Sequence, residues 1–159
     1  MAKVKEKRNV KVVCVNRKAR HDYFVDDEYE AGLVLTGAEV KSLRDGRANL
    51  KDGYAKIRKG EIFIYQIHIG EYPAATYVPQ EPLRVRKLLM HKHEIYRLEG
   101  KIKNKGIALI PLEIYFSNGR AKITIAMCRG KRQHDKRDAI QEREHKREMD
   151  RAKKKDSRD

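Results

Sequence analysis

With 159 residues, and 38 Lys and Arg against 23 Asp and Glu, the chain carries a formal charge of +15; that length suits one ordinary domain with an appendage. Such an excess draws polyanions, either nucleic acid or an anionic membrane. No run is long and apolar enough to span a bilayer, the charged start from Met1 to Val10 has no signal-peptide core, and no basic amphipathic helix carries large apolar anchors, so a cytoplasmic nucleic-acid-binding chain is expected.

Val10 to Asn16 is dense in valine and predicts a strand buried on both faces. A polar, basic stretch from Arg17 to His21 follows, then Tyr23, Phe24 and a second apolar run at Leu33 to Leu35. Thr36-Gly-Ala-Glu39 has the form of a capping box, in which the Thr hydroxyl accepts from a helix amide while Glu39 reaches back to the cap amide. Val40 and Leu43 would be the buried side of that short helix, and Gly46 its terminator. From Ala55 to Ile69 the pattern is β, with Ile57, Ile62, Ile64 and Ile67 around a Lys59-Gly60 turn. Pro73 to Pro82 predicts loop or edge strand, because proline cannot donate to a ladder. Ile95, Leu98 and Ile102 form one stripe of an amphipathic helix ending near Gly106.

Leu112 to Met127 is the clearest element. Leu112, Ile114 and Phe116 alternate with Glu113, Tyr115 and Ser117; beyond Asn118-Gly119, Ala121, Ile123, Ile125 and Met127 alternate with polar residues. Asn-Gly supplies the positive φ angles of a type I′ turn, so a hairpin with one core face is expected. Several short strands and two or three short helices together predict a small antiparallel barrel.

At Arg129 the composition changes. Residues 129–159 hold 13 Lys and Arg against 8 Asp and Glu, with Ile140 and Met149 the only sizeable apolar side chains. Such a segment buries too little surface to offset its ordering entropy alone. Yet Glu142 with Lys146 and Asp150 with Lys154 are favourable i,i+4 pairs, and no Gly or Pro follows Gly130. The expectation is a body over 1–128 and a tail over 129–159, disordered when free and poised to become helical on a partner. Both halves are positive, +10 and +5, so both should touch RNA.

Chemistry finds little foothold. Cys14 and Cys128 sit inside apolar runs without ligand-spaced histidines, and read as small buried hydrophobes. His21, His68, His91, His93, His134 and His145 fall in no catalytic spacing, and no glycine-rich phosphate loop is seen. His91 and His93, at a helix start, should point to different sides. A nuclease is therefore disfavoured; no catalytic residue, metal or cofactor is expected. More telling is Asn16-Arg-Lys-Ala-Arg-His-Asp-Tyr-Phe24, which packs cations, an amide, an imidazole and two aromatics into nine residues. Arg pairs with phosphate or stacks on a base, and Asn and His read base edges, although a plain charged loop fits as well. A second cluster, Arg84-Val-Arg-Lys-Leu-Leu89, alternates charge with apolar anchors.

Asn16 to Phe24, Tyr29-Glu-Ala-Gly-Leu33, Thr36 to Arg44, Gly46-Arg-Ala-Asn-Leu-Lys-Asp52, Arg86-Lys-Leu-Leu89 and Gly130-Lys-Arg-Gln-His-Asp-Lys-Arg137 resemble in order and spacing the signatures of the small protein B family, the SsrA-binding proteins of bacteria. The resemblance runs from about Val12 to Glu148. It implies a closed six-stranded antiparallel barrel of oligonucleotide-binding type with flanking helices. The implied partners are the tRNA-like domain of transfer-messenger RNA, the stalled 70S ribosome, and elongation factor Tu through the aminoacylated RNA; a monomer is expected. The implied RNA face uses Asn16, Glu30 and Leu89, with the surrounding Arg17, Lys18, Arg20, His21, Lys41, Arg44, Arg84, Arg86 and Lys87. The implied tail motif is Gly130, Lys131, Arg132, His134, Asp135, Lys136 and Arg137, which becomes helical in the empty messenger channel near the decoding centre. An acid on an RNA face normally repels phosphate, so Glu30 is expected to accept from base amino groups or orient a neighbouring cation. Many family tails carry a tryptophan after an acidic residue, where this chain reads Glu144-His145 and contains no Trp. A basic ribosomal structural protein is the main rival reading.

Overall fold

The computed structural model describes residues 10–75, 79–103 and 106–156. In chain order the elements are β1 (Val10–Val15), α1 (Arg17–Asp22), β2 (Tyr23–Leu33), α2 (Gly37–Arg44), β3 (Ala48–Asn49), β4 (Tyr54–Arg58), β5 (Glu61–Tyr65), β6 (His68–Ile69), β7 (Arg86–Leu89), α3 (Lys92–Ile102), β8 (Ile107–Ser117), β9 (Arg120–Gly130) and α4 (Gln133–Asp156). The fold is mainly β, and six strands in the order β8-β4-β5-β7-β2-β9 close into a ring, because β9 pairs with both β2 and β8. Every pairing is antiparallel.

The β8–β9 hairpin organises the ring. Asn118 (φ 52°) and Gly119 (φ 75°) make the expected turn between Ser117 and Arg120. The expected single core face needs correcting. A register shift between Pro111 and Glu113 reverses the alternation, so Leu112 lies in an outer cluster while Ile114 and Phe116 lie inside the ring. The interior is filled by Ile62, Ile64, Leu88, Ile123 and Ile125, with Leu43 of α2 and Ile95 and Leu98 of α3 in the same cluster. The outer cluster packs Ala19 of α1 on Ile110, Leu112, Ala126 and Cys128. Both cysteines are free thiols; burial raises Cys14 and pushes Cys128 up to about 11.

Three local expectations hold. The α2 capping box has both arms: the Glu39 amide donates to Thr36 Oγ1 at 3.3 Å, and the Thr36 amide donates to Glu39 Oε2 at 3.0 Å. Gly46 follows the helix with φ 75°. Lys59 and Gly60, both at positive φ, turn β4 into β5. Among the described residues of the 73–82 stretch there is no strand or helix; 76–78 lie outside them.

Others fail for physical reasons. β1 is not buried on both faces: it pairs only with β8, so Val10, Val12 and Val15 stay about half exposed on an edge. The basic stretch after Asn16 is a helix, α1, too short to show a hydrophobic period. His91 is the extended N-cap of α3 rather than a helical residue, so its ring stacks on His93 at 5.5 Å instead of pointing away. The tail, expected to be poised for helix, is one helix, α4, of 24 residues. The i,i+4 spacing of Glu142 with Lys146 and Asp150 with Lys154 and the freedom from Gly and Pro favour helix, although nearly all its described side chains are exposed.

Candidate nucleic-acid interface

Asn16 is where sequence and structure part most clearly. Expected to touch RNA, it is 4% exposed. Its Oδ1 accepts from the Ala19 amide at 3.1 Å, and its Nδ2 donates to the carbonyls of Leu50 (3.1 Å) and Pro111 (2.9 Å). Both amide ends are thus engaged within the fold, and the residue's work is to fix α1 against β8. What α1 shows to solvent is Arg17, Lys18 and Arg20. Lys18 stands 3.9 Å from Asp52 and Arg20 3.3 Å from Glu28, while His21 shares a 2.9 Å contact with Asp22. Exposed pairs of this kind are worth little and can exchange for phosphate.

Glu30 and Leu89 come together in one groove of about 690 Å³, lined also by Leu35, Val40, Phe116, Arg120 and Lys122. The pairing of Gly32 with Leu89 brings β2 and β7 close; a Cβ on Gly32 would sit 3.3 Å from Leu89 Cβ. Leu89 itself is 55% exposed. One Glu30 oxygen accepts from the Tyr115 hydroxyl and the other lies 2.7 Å from Lys122 Nζ. Burial, reinforced by Glu30, raises the Tyr115 hydroxyl's pKa and keeps it a donor. Tyr115 and Lys122 face each other across the β8–β9 ladder, and Glu30 on β2 lies opposite Thr124. The sequence reading missed both partners, since only the register reveals that three strands meet there. On α2, Arg44 lies over the Phe116 ring at 5.9 Å and Lys41 over Tyr72 at 5.4 Å.

The Arg84–Leu89 cluster divides by strand face. Along β7, Arg86 and Leu88 point inward, Lys87 and Leu89 outward. Arg86 is 0% exposed and cannot meet RNA. Its guanidinium donates to Glu39 Oε1 at 3.0 Å and to the carbonyls of Ile67, Arg84 and Pro82. Arg84 grips both oxygens of the same carboxylate, at 3.1 and 2.8 Å. Burial opposes the charge on Glu39, yet the bonds from Arg84, the Thr36 amide and Arg86 hold its carboxyl below the ordinary range. Lys87 pairs with Glu61 at 2.8 Å on the outer surface.

The tail motif begins inside the sheet. Gly130 pairs with Tyr23, so β9 continues past the change of composition at Arg129. The Lys131 amide donates to the Asp22 carbonyl at 2.9 Å, its Nζ to the Arg20 carbonyl at 3.3 Å, and its ammonium lies 5.2 Å over the Phe24 ring. Lys136 Nζ stands 3.5 Å from Asp22, whose carboxyl is lowered by the His21 bond first and by Lys136. Arg132 and Arg137 are exposed; the side chains of His134 and Asp135 lie outside the described residues. Among the described residues, no helix is long and apolar enough to cross a membrane.

The family model described as "SmpB protein" matches residues 13–155. The chain belongs to this family. It is 54% identical over 144 residues to the SsrA-binding protein of Syntrophobacter fumaroxidans, covering 91% of this chain and 89% of that protein. With the SsrA-binding protein of Clostridium perfringens the identity is 56% over 151 residues, 95% of each chain. A solved relative, described as "tmRNA-SmpB: a journey to the center of the bacterial ribosome", is 43% identical with a TM-score of 0.66, covering 82% of this chain and 94% of that one. The SmpB match spans α1, the Glu30 groove and nearly all of α4, so every residue placed in the site lies within it.

Proposed function

We propose that this chain binds the tRNA-like domain of transfer-messenger RNA and delivers it to ribosomes stalled without a stop codon, for trans-translation. Full-length kinship with SsrA-binding proteins supports the class of RNA. The observation that carries the reading to residues is the Glu30 groove. A carboxylate held by Tyr115 and Lys122 is a fixed acceptor for base amino groups, beside an exposed Leu89 and the cation of Arg120. Arg17, Lys18 and Arg20 on α1 supply phosphate contacts alongside.

In this proposal the six-strand ring serves as a closed barrel of oligonucleotide-binding type. The body forms one functional unit and residues 129–159 the other, with α4 probing the vacant messenger channel near the decoding centre. Only an empty channel accepts a basic helix, which lets the tail sense missing message. The factor acts as a cytoplasmic monomer and meets elongation factor Tu through the aminoacylated RNA.

A pull-down with the tagged chain, followed by sequencing of the bound RNA, tests the reading. Transfer-messenger RNA should dominate; ribosomal RNA in stoichiometric amount without it would favour a ribosomal structural protein. Glu30→Ala should weaken affinity for the tRNA-like domain about tenfold, the effect of one good base contact; because it also takes the carboxylate from the buried Tyr115 hydroxyl, at a cost of about 1 kcal/mol, affinity is compared at a temperature where both proteins are folded.

A further inference from the structure

The chain enters its tail beside the end of α1. Asp22, the last residue of α1, runs straight into β2, where Tyr23 pairs with Gly130, and the Asp22 carbonyl accepts from the Lys131 amide. Three side-chain contacts then tie the chain beyond Gly130 back to this corner. Lys131 Nζ donates to the Arg20 carbonyl, one of those left open at the end of α1. The same ammonium covers the Phe24 ring. Five residues on, Lys136 Nζ reaches the Asp22 carboxylate at 3.5 Å. His21 Nδ1 stands 2.9 Å from the same oxygen, so that carboxylate is already oriented where Lys136 meets it. The pair is partly buried, with side chains 21% and 35% exposed, which spares it some of the screening of an open surface pair.

Holding the body together does not require these contacts. The β2–β9 ladder runs from Tyr23 to Gly32, and α1 is fixed by Asn16 and by Ala19 in the outer cluster. The tail helix is where they matter. From Ile140 to Lys154 every described side chain of α4 is exposed, so what sets its direction lies in its first two turns. With 24 residues the helix is about 36 Å long. A swing of about 30° at its root would carry the far end about 18 Å, more than the width of a helix with its side chains, about 10–12 Å.

We infer that Asp22 and Phe24 are positioning residues for the tail: through Lys136 and Lys131 they set the direction in which α4 leaves the body. RNA held on α1 and the helix rooted on α1 then arrive in a fixed relation. The inference rests on the proposed reading of α4 as the element that enters the messenger channel, and it assigns part of that task to two residues of the body.

The contact is read first in the free full chain, independently of function. Carbon NMR follows the Asp22 carboxyl group through a pH titration. Lys136→Gln should move that titration to higher pH, because the carboxylate loses a neighbouring cation. The Asp27 carboxyl, paired with Lys101 at 2.8 Å, is the control that should not move. An Asp22 titration that stays in place overturns the inference, since Lys136 then does not sit there in solution.

Function is read as tagging of chains stalled on a stop-less message, beside affinity for the folded tRNA-like domain. Asp22→Asn keeps the size and an acceptor for His21 and removes only the charge. A partly exposed ion pair biases an orientation by about fivefold at most, so tagging should fall about threefold to fivefold. Adding Phe24→Leu, which removes the ring under Lys131, should bring the loss to about tenfold. Asp22→Glu keeps the charge and should restore most of the tagging. Removing an acid beside a cationic helix does not weaken its attraction for phosphate, so every variant should bind the tRNA-like domain at least within about twofold of the parent. Equal losses of RNA affinity and tagging overturn the inference, because they would make Asp22 and Phe24 part of the RNA grip. Unchanged tagging in the double variant overturns it too, and so does tagging that rises, which would mean the contact restrains the tail. Should the double variant melt early, Asp22→Asn alone decides, its side chain lying outside both core clusters. A parent chain that tags nothing sinks the proposed reading of α4 and this inference with it, whereas a tagging parent with tagging variants sinks this inference alone.

Discussion

Glu39 joins three elements through one carboxylate: it closes the α2 capping box and accepts from Arg84 and Arg86 beside β7. Because its carboxyl is held low in the fold, the unfolded chain takes up the proton first. The stability it contributes is present above the free carboxyl's value of about 4.3 and is lost as the pH falls from there through its lower folded value. Denaturant melts should show that loss in the parent. Glu39→Gln should be less stable at pH 7 by about 3 kcal/mol, because Arg86 is left buried without its counter-charge, and its acid arm should be shallower. Asn16→Ala should cost about 2 kcal/mol, from a lost cap and two stranded carbonyls. Any RNA defect should then shrink when binding is measured at low temperature, where α1 stays docked; a defect that persists with stability intact would restore Asn16 as a contact. Residue type was readable in both cases and orientation was not. A strand's side chains alternate between core and solvent, so whether Arg86 or Lys87 faces RNA depends on register, which no local pattern in Arg84–Leu89 reveals.

At the scale of elements, what could be read was what depends on neighbours in sequence. The Asn118-Gly119 turn, the Thr36–Glu39 box and the α3 stripe each declare themselves within a few residues. The closed ring, the shift beside Pro111 and the meeting of Tyr115, Lys122 and Glu30 arise from pairings between residues far apart in the chain, as distant as Tyr23 and Gly130. Two glycines separate local conformation from packing. Both Gly119 and Gly100 would point a new Cβ into open space, so only the backbone matters. Gly119 has φ 75°, where an L side chain is strained, and Gly119→Ala should cost about 1 kcal/mol. Gly100 lies within α3, and Gly100→Ala should stabilise by up to about 1 kcal/mol. Thermal melting should therefore move in opposite directions for the same chemical change.

For the whole molecule, charge and topology decide where the RNA grip resides. Residues 133–159 contain 10 Lys and Arg against 8 Asp and Glu, so deleting them removes only +2 of the +15. The cut belongs after Arg132 rather than at residue 128, because Arg129 and Gly130 pair with Phe24 and Tyr23 and the Lys131 amide closes onto Asp22. Beyond that point the described side chains of α4 are nearly all exposed, and the ring keeps its core. The shortened chain should fold, bind the tRNA-like domain within a few-fold of the parent, and keep a steep salt response. With about four phosphate contacts or more in the body, at about 0.7 to 0.9 each, the slope should change by less than about one unit. Tagging of chains stalled on a stop-less message should be lost, since the element proposed to occupy the messenger channel is gone. Joint substitution of Asp135, Lys136 and Arg137 should reproduce that division, while Glu30→Ala should weaken RNA binding first. If the shortened chain loses RNA affinity as completely as it loses tagging, α4 is part of the grip, and the near-balance of its charges conceals contacts that act one by one rather than through net charge.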